Sequence, residues 1–511
     1  MPLKGVLAMS TPGHSRFPSA IAGLCWTFLS SMILFLAGCQ DETIVEVERP
    51  FFDDPPALAG GFLGYDEEVP KLTVCGNCHV GQQAGWEETA HAHAWETLQA
   101  SGSARESCEN CHAAGPNGNE RTEGGWAATK DTRYQDVQCE NCHGPGETHV
   151  ANPDAFQPLA QLAVGADLTA GCGECHTGTH HGFVQEWEQS PHSQVVESAA
   201  GRAECEACHR GQATLRAWGE DADYVEKFDA EHLPVVCGVC HDPHNATNEG
   251  QLRYPVNTVS LEENLCAQCH NRRTIPTTAA HGLEPHAPEA ALLVGDAGWF
   301  PPGSEIDQGE IRGTHGSERN ERFCATCHLP MFTVTDQETG EFVLEVFGHL
   351  FRPIPCVDAR GIPQPFGVQC ELSTAARSFR ACTGGPCHGD EQAAFSALNR
   401  AVTSIQSLAD ELHALLEQVD PNLEEAGGEI DDTNPTFTIA EGALFNYNLA
   451  TFGNADFGTN TVVGSSVHNP FLVEALLTAS IDAVEEEYGV VAASGRNWKA
   501  ELREVMTKVG I

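Results

Sequence analysis

The sequence predicts a mainly α-helical protein with few strands, irregular through a long cysteine-rich region and regularly helical only towards the C-terminus. Three observations predict it. The pentapeptide Cys-x-x-Cys-His occurs eight times. From His79 to His270 its closing histidines recur at 33, 31, 33, 33, 32 and 29 residues, an internal repeat whose unit is too short to bury a core of its own. After Asp390, the residues Phe395, Leu398, Val402, Ile405, Leu408, Leu412, Leu415 and Val419 recur at three- and four-residue spacing up to Pro421, the period of an amphipathic helix.

The eight strict motifs pair Cys75 and Cys78 with His79, Cys108 and Cys111 with His112, Cys139 and Cys142 with His143, and Cys172 and Cys175 with His176. Cys205 and Cys208 with His209, Cys237 and Cys240 with His241, Cys266 and Cys269 with His270, and Cys324 and Cys327 with His328 complete them. Cys-x-x-Cys-His is the attachment signature of haem c: both thiols bond the porphyrin vinyl groups and the imidazole reaches the iron. Zinc knuckles and redox dithiols also use Cys-x-x-Cys. Neither explains eight pairs that are each followed at once by His. Cys382-Thr-Gly-Gly-Pro-Cys387-His388 is the same motif with two extra residues, a ninth attachment site if Gly384, Gly385 and Pro386 loop out, and otherwise a disulfide. The expected fold is therefore a stack of haems that supplies the core, with short helices at each motif.

Of 22 cysteines, these motifs leave Cys25, Cys39, Cys356 and Cys370. Cys356 and Cys370 bracket a Pro-rich loop, where a disulfide would contribute roughly 3 kcal/mol. Methionine decides the second axial ligand. Three of five Met lie before residue 39, so Met ligation is not general and bis-histidine irons of low potential are expected. The spare histidines with informative settings are His91 and His192, each following Trp by five residues, and His149 and His244, each just beyond a Pro turn. His286, His315, His349 and His468 complete the set of candidate distal ligands. His93, His180, His181 and His232 suit a ligand or a propionate partner equally, His281 is a weaker candidate, and His413 reads as helix surface.

Trp86-Glu-Glu-Thr-Ala-His91, Trp187-Glu-Gln-Ser-Pro-His192, Val137-Gln-Cys-Glu-Asn-Cys-His-Gly-Pro-Gly-Glu-Thr-His149 and Cys240-His-Asp-Pro-His244 resemble motifs of the multihaem cytochrome c superfamily. That superfamily includes hydroxylamine oxidoreductase, its tetrahaem electron acceptor, and octahaem nitrite and tetrathionate reductases. The resemblance covers residues 75 to 330, and more weakly the C-terminus. It implies that these histidines close neighbouring irons rather than their own, and that haem pairs form a continuous electron path. The segment from His286 to Asp296 is similar to a ligand-bearing loop of the same group, and His468-Asn469-Pro470 to another.

Residues 1–38 read as a lipoprotein signal peptide: Lys4 and Arg16, an apolar run from Ile21 to Leu36, then Leu36-Ala37-Gly38-Cys39, with Cys39 lipidated. An ordinary signal peptide or an uncleaved anchor is the alternative. Gln40 after the cysteine suggests the outer membrane, by resemblance to enterobacterial sorting. Residues 39–72 read as an acidic, Pro/Gly-rich tether, 73–330 as the multihaem domain, and 331–389 as a strand pair, disulfide loop and ninth motif. Residues 390–511 form a helical segment that would clamp the haem stack. The net charge of −45 excludes nucleic acid as a partner. It fits a solvated surface and leaves steering of basic partners open.

The leading function is electron transfer through bis-histidine haems to other redox proteins or to a periplasmic or extracellular acceptor. In that reading the protein has no catalytic residues and every iron is six-coordinate. The alternative is an oxidoreductase of small nitrogen or sulfur compounds, which needs one open iron. No Cys-x-x-Cys-Lys occurs, a mark that the resemblance associates with such an iron. A subunit of a polymeric cytochrome wire is a third reading.

Overall fold

The computed structural model describes residues 61–492 except 120, 122, 159–170, 179–180, 221–231, 278–281, 337, 385–386, 422–429, 432–435, 454 and 459. The leader, Cys39, most of the tether, His180 and His281 lie outside the described residues.

Each strict motif forms a single short turn: Cys75–Asn77, Glu106–Glu109, Cys139–His143, Gly171–Glu174, Glu206–His209, Cys237–Cys240, Cys266–Gln268 and Cys324–His328. Between them the described backbone forms further short helices, such as Val80–Glu87, Ala94–Ala100 and Gly211–Ala217, and isolated bridges, such as Ala113 with Gln135 and His241 with Leu252. Buried backbone groups still need partners, and polar side chains supply them. The Glu140 carboxylate, 2% exposed, accepts from the amides of Leu63 (2.9 Å), Gly64 (2.8 Å) and Gly146 (2.7 Å), which offsets the cost of burying its charge. Asn141 donates to the carbonyls of Ala113 and Asn117 and accepts from the Gln138 amide.

Within the stretch expected to end the tether, residues 61–66 pack against the motif region, whereas 67–71 are exposed. Phe62 and Tyr65 are buried, Tyr65 bridges Thr73, and Glu140 holds the amides of Leu63 and Gly64 between them. Acidity and glycine content describe a tether equally well; the difference lies in a remote carboxylate that no local pattern announces.

The repeat read from sequence is also a repeat of hydrogen bonds. Trp86 Nε1 donates to the Val137 carbonyl and Trp187 Nε1 to that of Val235, both at 2.9 Å. The Val137 amide donates to the His91 carbonyl and the Val235 amide to that of His192, both at 3.1 Å. Thr89 and Ser190 each return a hydroxyl to the preceding Trp carbonyl.

Strands β1 (Met331–Thr335) and β2 (Phe342–Phe347) pair antiparallel, Met331 opposite Phe347. The Asp336 carboxylate accepts from the Glu338 and Thr339 amides to set the turn. Cys356 and Cys370 are joined by a disulfide.

Four C-terminal helices follow: α1 (Glu391–Val419), α2 (Ile439–Ala450), α3 (Val463–His468) and α4 (Pro470–Tyr488). Asp390 caps α1 through the Ala393 amide (2.7 Å). Leu398, Val402, Ile405, Leu408, Leu412 and Leu415 then bury one face, as their spacing requires. A capping box of Thr438 and Glu441 starts α2. At Gly442, an added Cβ would stand 2.3 Å from the Trp299 ring. This is the chain's substantial apolar core, shared with Leu292, Trp299, Ile306 and Ile311. By contrast, the clusters among the motifs hold a few residues each, such as Tyr65, Trp86 and Ala92. The helices pack chiefly on one another and on the segment Leu283 to Ile311, between the seventh and eighth motifs. Among the described residues no helix is long and apolar enough to cross a membrane.

Asn469 is the joint. Its Oδ1 caps α4 at the Leu472 amide (3.2 Å), and its Nδ2 donates to the carbonyls of Leu292 (3.0 Å) and Ile311 (2.8 Å). Replacing it leaves the helix end and the Ile311 carbonyl without these partners, and leaves the Leu292 carbonyl only the Gly295 amide at 3.3 Å. Asn469→Ala is expected to cost about 3 kcal/mol, read as a lowered Tm of the C-terminal helices by circular dichroism.

Candidate haem sites

In most strict motifs the histidine amide donates back to the carbonyl of the first cysteine: His79 to Cys75, His176 to Cys172, His241 to Cys237 and His270 to Cys266, each at 2.9 Å. One turn of chain thus brings both thiols and the imidazole together. The widened motif closes in the same way, because the His388 amide donates to the Cys382 carbonyl at 3.1 Å. Its extra residues leave that return bond intact.

Each of eight motif histidines faces a second imidazole from elsewhere in the chain. Ring centroids are 6.2 Å apart for His79 and His149, and 6.1 Å for His143 and His244, His176 and His91, and His241 and His349. They are 5.8 Å apart for His209 and His286, 6.2 Å for His270 and His192, and 6.3 Å for His328 and His468 and for His388 and His315. Two nitrogen–metal bonds of about 2 Å, with the ring radii added, span about 6 Å. One iron therefore fits between the members of each pair. In no pair does a distal histidine face the motif beside it in sequence. His149 meets the first motif rather than the third, and His244 meets the third rather than the sixth.

His181 also lies 6.1 Å from His176. The duplicated Trp, Val and carbonyl anchoring singles out His91 as the counterpart of His192. His93 approaches the Glu87 carbonyl, His232 the Glu197 carboxylate, and His413 rests against Tyr447 at 5.0 Å. None of these three faces a motif histidine.

His112 differs from the other motif histidines: among the described residues, no second imidazole faces it. Its Nδ1 is nevertheless placed as a ligand's would be, 2.9 Å from the Ala94 carbonyl. The same arrangement holds His241 on Gly250 (2.6 Å), His315 on Val467 (2.8 Å), His328 on Phe351 (2.9 Å), His349 on Phe347 (3.1 Å) and His468 on Gly464 (2.8 Å). An imidazole that donates Nδ1–H to a carbonyl presents its Nε2 lone pair to a metal. Burial favours the same neutral form. It pushes His143, His176 and His468 down to about 4 and His192 to about 3.

Acidic side chains set some of these positions. The buried Glu186 carboxylate accepts from the Phe347 (2.6 Å) and His349 (2.8 Å) amides, fixing the ligand that follows β2. Glu186 lies inside an ordinary Val-Gln-Glu-Trp stretch, so its sequence setting carries no signal of this role.

The attachment sites adjoin one another in a regular order. The first cysteines of the first and third motifs touch, Cys75 with Cys139. Those of the fourth and sixth touch, Cys172 with Cys237, and those of the seventh and eighth, Cys266 with Cys324. The second cysteines of the second and fourth motifs touch, Cys111 with Cys175, and those of the fifth and seventh, Cys208 with Cys269. Cys142 lies within electrostatic range of Cys172, Cys240 of Cys266, and Cys327 of Cys387. The line runs first, third, fourth, sixth, seventh, eighth, ninth, with the second motif beside the fourth and the fifth beside the seventh.

Residues 74–144 match the family described as Cytochrome c554 and c-prime, and residues 232–274 match the doubled CXXCH motif. No curated protein and no solved structure matches the chain. Paired attachment motifs, the cytochrome c554 match and imidazoles spaced for iron converge on one conclusion: the chain is a multihaem c-type cytochrome that binds haem c covalently and transfers electrons.

Proposed function

We propose that the protein is an electron conduit carrying nine haems, eight of them held by the histidine pairs above. The observation that supports it best is the succession of attachment cysteines from Cys75 to Cys387, each within interaction range of a cysteine of the next site. Bound there, haem supplies the one-electron chemistry. The protein's part is to fix each ring, hold the imidazoles neutral and keep neighbouring sites in contact. The substitution His149→Ala, opposite His79, is expected to turn one low-spin iron high-spin without lowering the covalent haem count; an unchanged low-spin spectrum would refute the pairing.

His112 favours a second activity alongside conduction. With a motif imidazole and no described partner, its iron keeps a coordination position for a small ligand. The nitrogen and sulfur oxidoreductase reading needs such a position. The test is electron paramagnetic resonance and optical spectroscopy of the oxidised protein, with haem counted by mass, before and after adding nitrite, hydroxylamine or tetrathionate. Nine haems are expected, one of them high-spin and shifting with one of these ligands. A wholly low-spin, unresponsive spectrum restricts the protein to conduction.

The protein is further proposed to be an exported outer-membrane lipoprotein anchored through Cys39, passing electrons to other redox proteins or to a periplasmic or extracellular acceptor. Support comes from Leu36-Ala37-Gly38-Cys39 after an apolar run, and from attachment of haem c outside the cytoplasm. Cys39→Ala is expected to move the haem-stained protein from the membrane fraction to the soluble fraction of fractionated cells. Retention in the membrane fraction would refute the lipid anchor.

A further inference from the structure

One proposed iron ligand has a different partner from the rest. At His112, His241, His315, His328, His349 and His468 the Nδ1 atom meets a backbone carbonyl. At His270 it meets a carboxylate, Glu289 Oε2, at 3.5 Å. That oxygen is sealed from solvent and has no hydrogen-bond partner of its own. The nearest comparison is Asp242 beside His244, at 3.8 Å, where the same oxygen is occupied by the His244 backbone amide at 3.0 Å.

The backbone holds this contact in place. The Ala290 amide donates to the His270 carbonyl at 3.0 Å and the Arg272 amide to the Ala287 carbonyl at 3.1 Å, while Arg272 and His286 form a bridge. The segment from His286 to Ala290 therefore runs back along His270 to Arg272. It carries His286 to His209 and Glu289 to His270 on one short stretch.

We propose that Glu289 is a positioning residue that acts through His270, orienting its ring and making it a stronger electron donor to the seventh iron, which lowers that iron's reduction potential below those of its neighbours. A carbonyl partner orients an imidazole; a carboxylate also raises the ligand's basicity, and hydrogen bonding to axial ligands is one of the protein's levers on haem potential. The place matters because the seventh motif adjoins three others, through Cys208, Cys240 and Cys324. A raised energy step at that junction separates the first six sites from the last two.

The inference rests on the assignment of His270 as an iron ligand. The test therefore begins with haem mass and the low-spin spectrum of the full-length holoprotein, which report on that assignment alone. Spectroelectrochemical titration then compares wild type with Glu289→Gln and Glu289→Asp. In Glu289→Gln, which keeps size and an acceptor but removes the charge, one component is expected to move to higher potential. A smaller movement is expected in a second, since the His328–His468 pair also lies within reach of this charge. Glu289→Asp retains the charge, and its component should stay below that of Glu289→Gln. Unchanged potentials in Glu289→Gln, or equal shifts in both variants, would overturn the proposal. Loss of a haem from Glu289→Gln would overturn it as well, because the carboxylate would then serve assembly rather than tuning.

Discussion

The constraint on which the described structure depends is that two imidazoles from distant segments must meet at about 6 Å, the span of two metal–nitrogen bonds and two ring radii. The two rings of each pair come from different stretches of chain, as with His91 and His176, His192 and His270, and His328 and His468. Each iron held by such a pair would therefore be a cross-link as well as a redox centre. In a region of short helices and isolated bridges, such cross-links would take the place that sheet ladders and apolar cores hold elsewhere. The polar anchors follow from the same constraint. Glu140, Asn141 and Glu186 satisfy buried amides and carbonyls that regular structure would otherwise have paired, and Glu186 does so at the backbone of His349 itself.

The repeat has a longer period than the motif spacing suggests. Trp86, His91 and Val137 recur as Trp187, His192 and Val235 with the same hydrogen bonds. The cysteine contacts follow the same step: first with third and fourth with sixth through first cysteines, second with fourth and fifth with seventh through second cysteines. The unit is three motifs. Continuing the step, Cys266 should touch the first cysteine of a ninth motif, yet its partner is Cys324 of the eighth. The interval from His270 to His328 is 58 residues, close to two ordinary steps. The third unit thus lacks its middle motif, and the segment in that place carries Leu292, Trp299 and Ile311, which build the joint to the C-terminal helices instead.

Much of this was legible in the sequence because the chemistry constrains it locally. Attachment needs two thiols and an imidazole within one turn, so the motifs read directly, and α1 reads from its period and its Asp390 cap. Candidate distal ligands read from Trp and Pro settings, because those residues fix where a following histidine goes. Partner choice within each pair depended on chain crossings that no local pattern encodes, and the resemblance supplied only its general rule. Glu140, Glu186 and Glu289 were opaque, since each acts on backbone or rings remote in sequence or across a loop. The packing of residues 61–66 was opaque for the same reason.

The three-motif unit also gives the lone His112 its meaning. The second and fifth motifs occupy equivalent places, each joined by its second cysteine to the motif two further on. At the fifth, His209 faces His286, delivered by the strand-like return beside His270. At the second, His112 keeps the ligand's carbonyl contact, to Ala94, but no described imidazole faces it. If loose packing left His112 alone, its Nδ1 contact and the Cys111–Cys175 contact would be lost with it, and both are kept. The difference is confined to the side on which a sixth ligand would arrive. In both units this side motif branches off the line of adjoining sites rather than lying within it. If the second iron is open, as proposed, its place beside the line rather than within it would let a ligand exchange there without interrupting conduction.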